Sequence, residues 1–221
     1  MVSAGIVLMS AAKELFAIDR DGGMAIALPE PQHGLGMPVE QALRSRRSVR
    51  GFTGEPLSLA QVSQLLWAAQ GITSLRGFRT APSAGALYPL EVYLVAGDVS
   101  GLPQGVYVYD PRVHALGRVA GGDRRRQLSD AALAQDWTAT SAAVIVLAAV
   151  PRRTTRKYGN RGHRYVLLEA GHAAQNVYLQ ATSLGLGTTA VGAFRDARIQ
   201  AALEMPLDHK PLYLLPVGKT R

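Results

Sequence analysis

Cysteine is absent from this chain of 221 residues, and its absence excludes a first set of chemistries. Without a thiol there is no disulfide, no thiolate nucleophile, and no zinc or iron–sulfur centre held by cysteine. Long apolar runs are missing as well, because the longest, around residues 142–150, falls far short of the roughly 20 residues that span a membrane. The sequence therefore predicts a cytoplasmic protein with no membrane partner.

Lysine is scarce, with 4 residues against 20 arginines, yet basic residues outnumber acidic ones and the formal net charge is +8. A positive surplus suits nucleic acid, an anionic surface or an anionic cofactor. The arginine runs at 124–126 and 152–153 are accompanied by no known nucleic-acid-binding motif, and exposed faces explain them better. We expect no nucleic-acid partner, although a module that binds nucleic acid or a flavin without catalysis is kept as an alternative.

Several catalytic and cofactor signatures are also missing. The chain has no Gly-x-Ser-x-Gly nucleophile elbow, and the Pro82–Gly85 segment lacks the Lys and Ser/Thr of a Walker-type phosphate loop. The glycines of residues 185–192 follow a predicted helix and precede a strand-like segment, which reverses the order of a dinucleotide-binding fingerprint. Glu169 and His172 have the spacing of half a di-iron site, but no second copy accompanies them. We interpret them as a hydrogen-bonded pair on a helix and expect no metal.

Hydrophobic patterning divides the chain into interleaved helices and strands, which is typical of an α+β or α/β protein. The glycines and prolines of residues 1 to about 37 predict extended chain with turns. We expect a flexible or docking arm at 1–27, ahead of a single domain at 28–221. Five helices are predicted. The first begins at Pro38, and the second follows an N-cap at Ser58 and ends at Gly71. The others lie near 123–135, at about 165–184, and from a cap at Asp196 to 204. The predicted strands cover 90–96, 105–109, 113–119, 142–148 and 211–217, with 187–194 either a strand or a glycine-rich loop.

Two basic clusters suit an anion. Residues 44–50 contain four arginines and two serines, and residues 218–221 read Gly-Lys-Thr-Arg. A guanidinium presents a planar fork of donors that matches phosphate oxygens in pairs, and a nearby hydroxyl can serve a remaining oxygen. The alternative for the first cluster is a solvated basic turn that closes a helix.

Five short motifs follow one another along the chain, and together they are more specific than any one of them. They are Arg46-Arg47-Ser48-Val49-Arg50, the segment from Ala81 to Pro89, the segment from Lys157 to Gly162, the segment from Leu168 to Asn176, and Gly185-Leu186-Gly187. In this order they resemble the motifs of the nitroreductase-like FMN flavoproteins, and specifically the SagB/thiazole-oxidase branch. The resemblance covers almost the whole chain, from about residue 28 to residue 221.

This resemblance implies an α+β fold with a central mixed or antiparallel sheet flanked by helices, in an interlocked homodimer that holds FMN at its interface. It assigns contacts with the FMN phosphate and pyrimidine edge to Arg46, Arg47, Ser48 and Arg50, and further phosphate contacts to Lys219 and Arg221. It assigns the loop that each subunit lays against the flavin of the other to Pro82, Ser83, Ala84, Gly85 and Ala86. It assigns the lining of the ring near N5 to Gly187, Thr188, Thr189, Ala190, Val191 and Gly192.

The chain departs from the better-known nitroreductases at two places. Ala86 and Tyr88 stand where those enzymes place Asn and Gln, and Gly192 stands where many have Glu. Both changes argue against nitro-group substrates and for the SagB-type branch, whose azoline oxidases carry a Lys-Tyr acid/base pair. That pattern makes Lys157 and Tyr158 the candidate catalytic residues, unless they only position a loop.

The function implied by the resemblance is that of an FMN-dependent oxidoreductase. It would transfer hydride between NAD(P)H and a small organic acceptor by a ping-pong mechanism. A peptide azoline oxidase that uses O2 as its final acceptor is the alternative within the family.

Overall fold

The computed structural model of the protein describes residues 16–18, 24–34 and 36–220. The strands are β1 Phe16–Ile18, β2 Met24–Ala27, β3 Leu57–Ser58, β4 Leu90–Ala96, β5 Val99–Ser100, β6 Gly105–Asp110, β7 Ala115–Gly121, β8 Ala143–Ala149, β9 Leu186–Thr188 and β10 Lys210–Lys219. The helices are α1 Val39–Ser45, α2 Leu59–Gln70, α3 Arg125–Ala131, α4 Trp137–Thr140, α5 Arg152–Tyr158, α6 Arg161–Ser183 and α7 Asp196–Ala202, with a short 3-10 turn at Ala84–Ala86.

Eight of the strands form one sheet in the order β1-β2-β7-β6-β4-β8-β10-β9, and each neighbouring pair is antiparallel. Strands β3 and β5 form a separate parallel pair. The predicted α+β class with a central sheet flanked by helices is confirmed. Of the two sheet types expected, mixed and antiparallel, the observed sheet is antiparallel.

Both faces of the sheet are covered, as the apolar pattern of β8 predicts. Ile145 and Leu147 point into a core that α2 and α6 complete, whereas Val144 and Val146 point into a second core with α3 and α7. Successive side chains of a strand alternate between faces, so a strand between two helical layers must be apolar throughout.

The start of α2 follows from its sequence. The Ser58 side chain accepts a hydrogen bond from the backbone of Gln61, whose own side chain accepts one from the backbone of Ser58. This reciprocal pair satisfies two donors at the helix end and confirms Ser58 as the cap. The equivalent prediction for α7 is wrong, because Arg195 occupies its cap position and Asp196 is the first helical residue.

Several elements were not expected from the sequence. The interpretation of the first 37 residues as turns and extended chain missed β1 and β2, and β2 joins the sheet by pairing Ala25 with Gly117 and Ala27 with Ala115. Of residues 187–194, only the first two belong to a strand. No helix in the described part of the chain has both the length and the apolar character needed to cross a membrane.

Candidate active site

Backbone pairing brings together three of the segments that carry predicted cofactor residues. Ser48, just after α1, forms a parallel bridge with Thr188 at the end of β9. The backbone N–H of Val49 donates to the Thr188 carbonyl at 2.9 Å, and the N–H of Thr53 donates to the Lys219 carbonyl at 3.0 Å. The end of β10 pairs in turn with β9. We call this place the basic half-site, made of Arg46, Ser48, Arg50, Tyr178, Thr188, Ala190 and Lys219.

Tyr178, on α6, connects the two sides of the basic half-site, and the sequence did not single it out. Its hydroxyl lies 3.1 Å from Ser48 Oγ and accepts a hydrogen bond from the backbone of Ala190 at 2.7 Å. The Arg46 guanidinium lies over its ring, 5.1 Å from the centroid. Tyr178 therefore positions both a predicted hydroxyl donor and a predicted cation.

The donors of the basic half-site suit an anion with several oxygens. Arg46 is half-buried, while Ser48 and Arg50 are exposed. Thr188 is 2% exposed, and its hydroxyl has no hydrogen-bond partner within the described chain. An unpaired buried hydroxyl is costly, so a ligand oxygen beside it would be favourable.

Two other predicted anion contacts have competing partners. Arg47 donates through Nη1 to the carbonyls of Arg44 and Arg46, at 2.9 and 2.8 Å, and so closes the end of α1. Lys219 Nζ lies 2.9 Å from Glu55, and its hydrogen bond and charge hold the pKa of that carboxyl below its usual value. Both residues of the pair are partly exposed, so Lys219 can exchange Glu55 for another anion. Arg221 lies outside the described residues.

The remaining predicted residues of the ring-lining segment differ in their surroundings. A Cβ on Gly187 would lie 2.7 Å from Val49 Cγ1, so this glycine permits close packing of β9 against the basic segment. Thr189 is buried, and Val191 is bridged to Leu214 of β10. Gly192 is exposed, and a Cβ there would meet a single side chain, that of Tyr213, at van der Waals distance. An open backbone of this kind allows a flat ligand to approach.

The predicted loop and the predicted catalytic pair lie against each other. A Cβ on Gly85 would lie 2.8 Å from the Tyr158 hydroxyl and 3.1 Å from Lys157 Nζ. Lys157 and Tyr158 end α5, and Tyr165 of α6 packs edge-on against Tyr158 with 5.1 Å between ring centroids. We call this place the loop half-site, made of residues 82–86 with Lys157, Tyr158 and Glu169.

The loop is held in a strained conformation. Gly85, Ala86 and Tyr88 have φ angles of 64°, 53° and 45°. These angles lie in the left-handed region, which is unfavourable for residues other than glycine. The backbone N–H of Tyr88 donates to Ser83 Oγ at 2.9 Å, Arg153 Nη1 donates to the Tyr88 carbonyl at 3.2 Å, and the Arg79 guanidinium lies 4.5 Å from the Tyr88 ring. These contacts fix a backbone that would otherwise relax.

Glu169 lies beneath the loop on α6 and is 2% exposed. Burial raises its pKa to about 7, against the opposing effects of a hydrogen bond from Ser83 and the charge of Arg79. The hydrogen bond expected between Glu169 and His172 is not found among the described residues, although both side chains line one cavity. One carboxyl oxygen, Oε1, has no hydrogen-bond partner among the residues that the structure describes. Within the described ranges, no group of three or more potential ligands is arranged to hold a metal ion.

Helix α6 contributes to both half-sites but on different sides. Glu169 and Tyr178 are nine positions apart, which places them about 14 Å apart along the helix axis. Nine residues also make about two and a half turns, so the two side chains leave the helix in opposite directions. Glu169 and Tyr178 therefore lie on opposite sides of α6.

Comparison with known proteins places the chain in one family. Residues 43–219 match the model of the Nitroreductase family. MJ1384 of Methanocaldococcus jannaschii, a protein named as a candidate nitroreductase, is 48% identical over 196 residues, which cover 89% of this chain and 96% of that protein. A crystal structure of a candidate nitroreductase from Ralstonia eutropha JMP134 superposes with a TM-score of 0.79 at 31% identity, covering 89% of this chain and 90% of the other.

A further relative is named for the processing of microcin B17. The microcin B17-processing protein McbC of Escherichia coli is 31% identical over 148 residues, which cover 60% of this chain and 50% of McbC. The chain thus spans half the length of that relative, while it spans nearly all of MJ1384. The family predicted from the five motifs is confirmed: the chain belongs to the nitroreductase family and is an oxidoreductase.

Proposed function

We propose that the protein is an FMN-dependent oxidoreductase that transfers hydride between NAD(P)H and a small organic acceptor by a ping-pong mechanism. The observation that carries the proposal is the basic half-site, in which three separate segments bring cations and hydroxyls to one place through backbone pairing. The family gives this arrangement its context, since the match covers every described residue of that half-site.

The donor set fits the charge of FMN. A phosphomonoester carries about −1.5 to −2 charges at neutral pH and accepts several hydrogen bonds. Arg46, Ser48 and Arg50 offer cationic and hydroxyl donors, Lys219 can exchange Glu55 for the phosphate, and the unpaired hydroxyl of Thr188 gains an acceptor. Bound FMN would supply the capacity to accept and release hydride. A fixed guanidinium near the pyrimidine edge would stabilise the negative charge that develops there on reduction.

The opposite directions of the two half-sites support a homodimer. Because Glu169 and Tyr178 leave α6 in opposite directions, we expect a flavin held by the basic half-site of one chain to lie away from residues 82–86 of that chain. A second copy can present its own loop half-site to that flavin. We therefore propose that each flavin lies between a basic half-site and the loop half-site of the other subunit.

Lys157 and Tyr158 are proposed to move protons at the substrate. Both side chains lie against Gly85 at the end of α5, where they would adjoin the flavin of the other subunit. A Lys amine placed beside a flat ligand can accept or return a proton at Nζ. Replacing Lys157 by Ala should leave FMN bound and slow substrate turnover, while replacing the exposed Arg156 of the same helix should change neither. Loss of FMN from Lys157→Ala would assign this residue a structural role.

Stopped-flow absorbance of the flavin tests the function directly. Purified protein saturated with FMN is mixed without oxygen with NADH or with NADPH, and the flavin band is followed. Bleaching by at least one of them, followed by recovery when an acceptor is added, is the expected result. If neither nucleotide bleaches the bound flavin, the proposed direction of hydride transfer is wrong.

One observation favours a second candidate, since a named relative processes microcin B17. A peptide azoline oxidase would take hydride from the substrate and pass it to O2. Oxygen uptake with a thiazoline-containing peptide, in the absence of NADH and NADPH, would support this alternative.

A further inference from the structure

We propose that a cavity beside Tyr88, separate from the basic half-site, binds a small organic carboxylate, and that the bound anion holds the loop next to it in place. The cavity lies where the end of α2, the start of β4 and the end of β6 meet. None of its described lining residues belongs to the five family motifs. The inference does not depend on the proposed function, because it involves neither a flavin nor a hydride.

The cavity is small and polar. We call it the arginine cavity, after the side chains of Arg79, Arg112 and Arg153 that line it. Its volume is about 180 Å³. Since a water molecule takes up roughly 30 Å³, this space suits a ligand of about five or six non-hydrogen atoms.

The charges around the arginine cavity favour a monoanion. Glu91 and Asp110 also line it, and both are almost completely buried. Arg112 pairs with Asp110 at 2.6 Å, and Arg153 pairs with Glu91. Three cations therefore face two anions among the described lining residues, and one negative charge on a ligand balances them. A dianion such as phosphate would add repulsion from two buried carboxylates, where screening by water is weak.

Gln70, the last residue of α2, indicates that the ligand must accept hydrogen bonds. Its side chain lines the arginine cavity and is 1% exposed. Its Oε1 accepts a hydrogen bond from Arg79 Nη1 at 2.8 Å, whereas its Nε2 has no partner in the part of the chain that the structure describes. A buried donor without an acceptor is costly, and a ligand oxygen would remove this cost. A carboxylate can serve Gln70 Nε2 with one oxygen and a neighbouring guanidinium with the other.

The arginine cavity is connected to the loop through Tyr88. The Arg79 guanidinium lies 4.5 Å from the centre of the Tyr88 ring, and Arg153 Nη1 donates to the Tyr88 carbonyl at 3.2 Å. The backbone N–H of Tyr88 donates in turn to Ser83 Oγ of the loop. Tyr88 itself has a φ angle of 45°, a conformation that its surroundings must maintain. A ligand that fixes the two arginines therefore stabilises this conformation over others.

Titration with propionate tests the site, and propionamide is the neutral control of the same shape. Binding to the full chain is followed by saturation-transfer NMR of the ligand, with excess FMN present to occupy the basic half-site. We expect saturable binding of propionate with a Kd on the order of 1 mM, an ordinary affinity for so small a ligand. Propionamide should bind at least about tenfold more weakly, because it lacks the charge that the arginines recognise. Equal binding of the two, or tighter binding of inorganic phosphate, would overturn the proposal.

Variants locate the bound propionate. Gln70→Glu keeps an acceptor for Arg79 but replaces the free donor by a negative charge, so it should weaken propionate binding at least about tenfold. Arg112→Gln, at a side chain that is 59% exposed, should also weaken it without disturbing the core. The exposed Arg198→Gln, on α7, is the control and should bind as the wild type does. Wild-type affinity in both cavity variants would place the ligand elsewhere and overturn the assignment.

Amide hydrogen exchange measures the effect on the loop. At a propionate concentration ten times the Kd, exchange of residues 83–88 should slow about tenfold, because the ligand must leave before the loop opens. The same addition should change little in Gln70→Glu, and unchanged exchange in the wild type would contradict the connection through Tyr88. FMN fluorescence reports separately whether flavin is bound, so a failure to bind flavin counts against the proposed function and not against this site.

Discussion

The two half-sites are built in different ways. The basic half-site is assembled by regular backbone pairing of the segment after α1 with β9 and of β9 with β10, and most of its cations reach solvent. The loop half-site instead contains Ala86 in the left-handed region, with left-handed Tyr88 two residues beyond it. It also contains the buried carboxyl of Glu169, one oxygen of which has no partner within the described residues. Binding an anion requires donors in register, which a sheet edge supplies without strain. Proton transfer requires a group whose pKa is shifted from its usual value. The fold provides one by burying Glu169 beneath a strained loop.

The largest difference should appear in stability against pH. The pKa of Glu169 rises from a usual 4.5 to about 7 on folding, so the unfolded chain ionises first as pH increases. The contribution to stability is complete below the unfolded value and is lost as pH rises through the folded value. Relative to Glu169→Gln, the wild type should lose on the order of 3 kcal/mol of unfolding free energy between about pH 4 and pH 8. Urea unfolding of both proteins at a series of pH values measures the difference, and a constant offset would show that Glu169 ionises normally.

A smaller effect is expected at the basic half-site, and it should appear in ligand affinity. Arg46→Ala removes a charge-assisted hydrogen bond worth roughly 1.5–3 kcal/mol, which corresponds to a weakening of FMN binding of about tenfold to a hundredfold. Arg47→Ala is the matched control, because its Nη1 already closes α1. Titration of FMN fluorescence gives both dissociation constants. Equal losses in the two variants would contradict the distinct positions that the structure gives these arginines.

The smallest effect concerns the strain of the loop. Ala86→Gly should raise the unfolding free energy by up to about 1 kcal/mol, because glycine relieves the left-handed penalty but adds entropy to the unfolded chain. Ala84→Gly, in the same turn but without a positive φ, should lower it instead. Chemical unfolding at one pH compares the two variants, and a loss at both positions would mean that the loop carries no stored strain.

The fold was predictable where a local pattern matched its surroundings. β8 is apolar on both faces and lies at the centre of the sheet, and the Ser58 cap starts α2 as expected. Helix α5 was missed because it has four cations among seven residues and no apolar stripe, so only packing against α6 makes it a helix. Strands β1 and β2 were missed because their short segments are separated by glycines that indicate turns.

The candidate site was predictable mainly through ordered motifs. Ser48, Thr188 and Lys219 are far apart in the sequence, and no periodicity brings them together, whereas the family pattern does. Tyr178 was missed because a tyrosine in a helix of small residues resembles an ordinary core side chain. Glu169 was noticed only for its spacing from His172, since its burial depends on how the loop packs on α6. Properties that arise from desolvation cannot be predicted from residue order.

Because α6 carries Glu169 on one side and Tyr178 on the other, insertions and deletions between these two residues should be poorly tolerated. An insertion or deletion of one residue between Glu169 and Tyr178 would rotate one end of the helix by about 100° against the other. Either the carboxyl or the tyrosine would then lose its place, even if the helix itself remained intact. Length variation among relatives of this chain should therefore concentrate in the loops between elements, and alignments should show the interval from 169 to 178 without gaps.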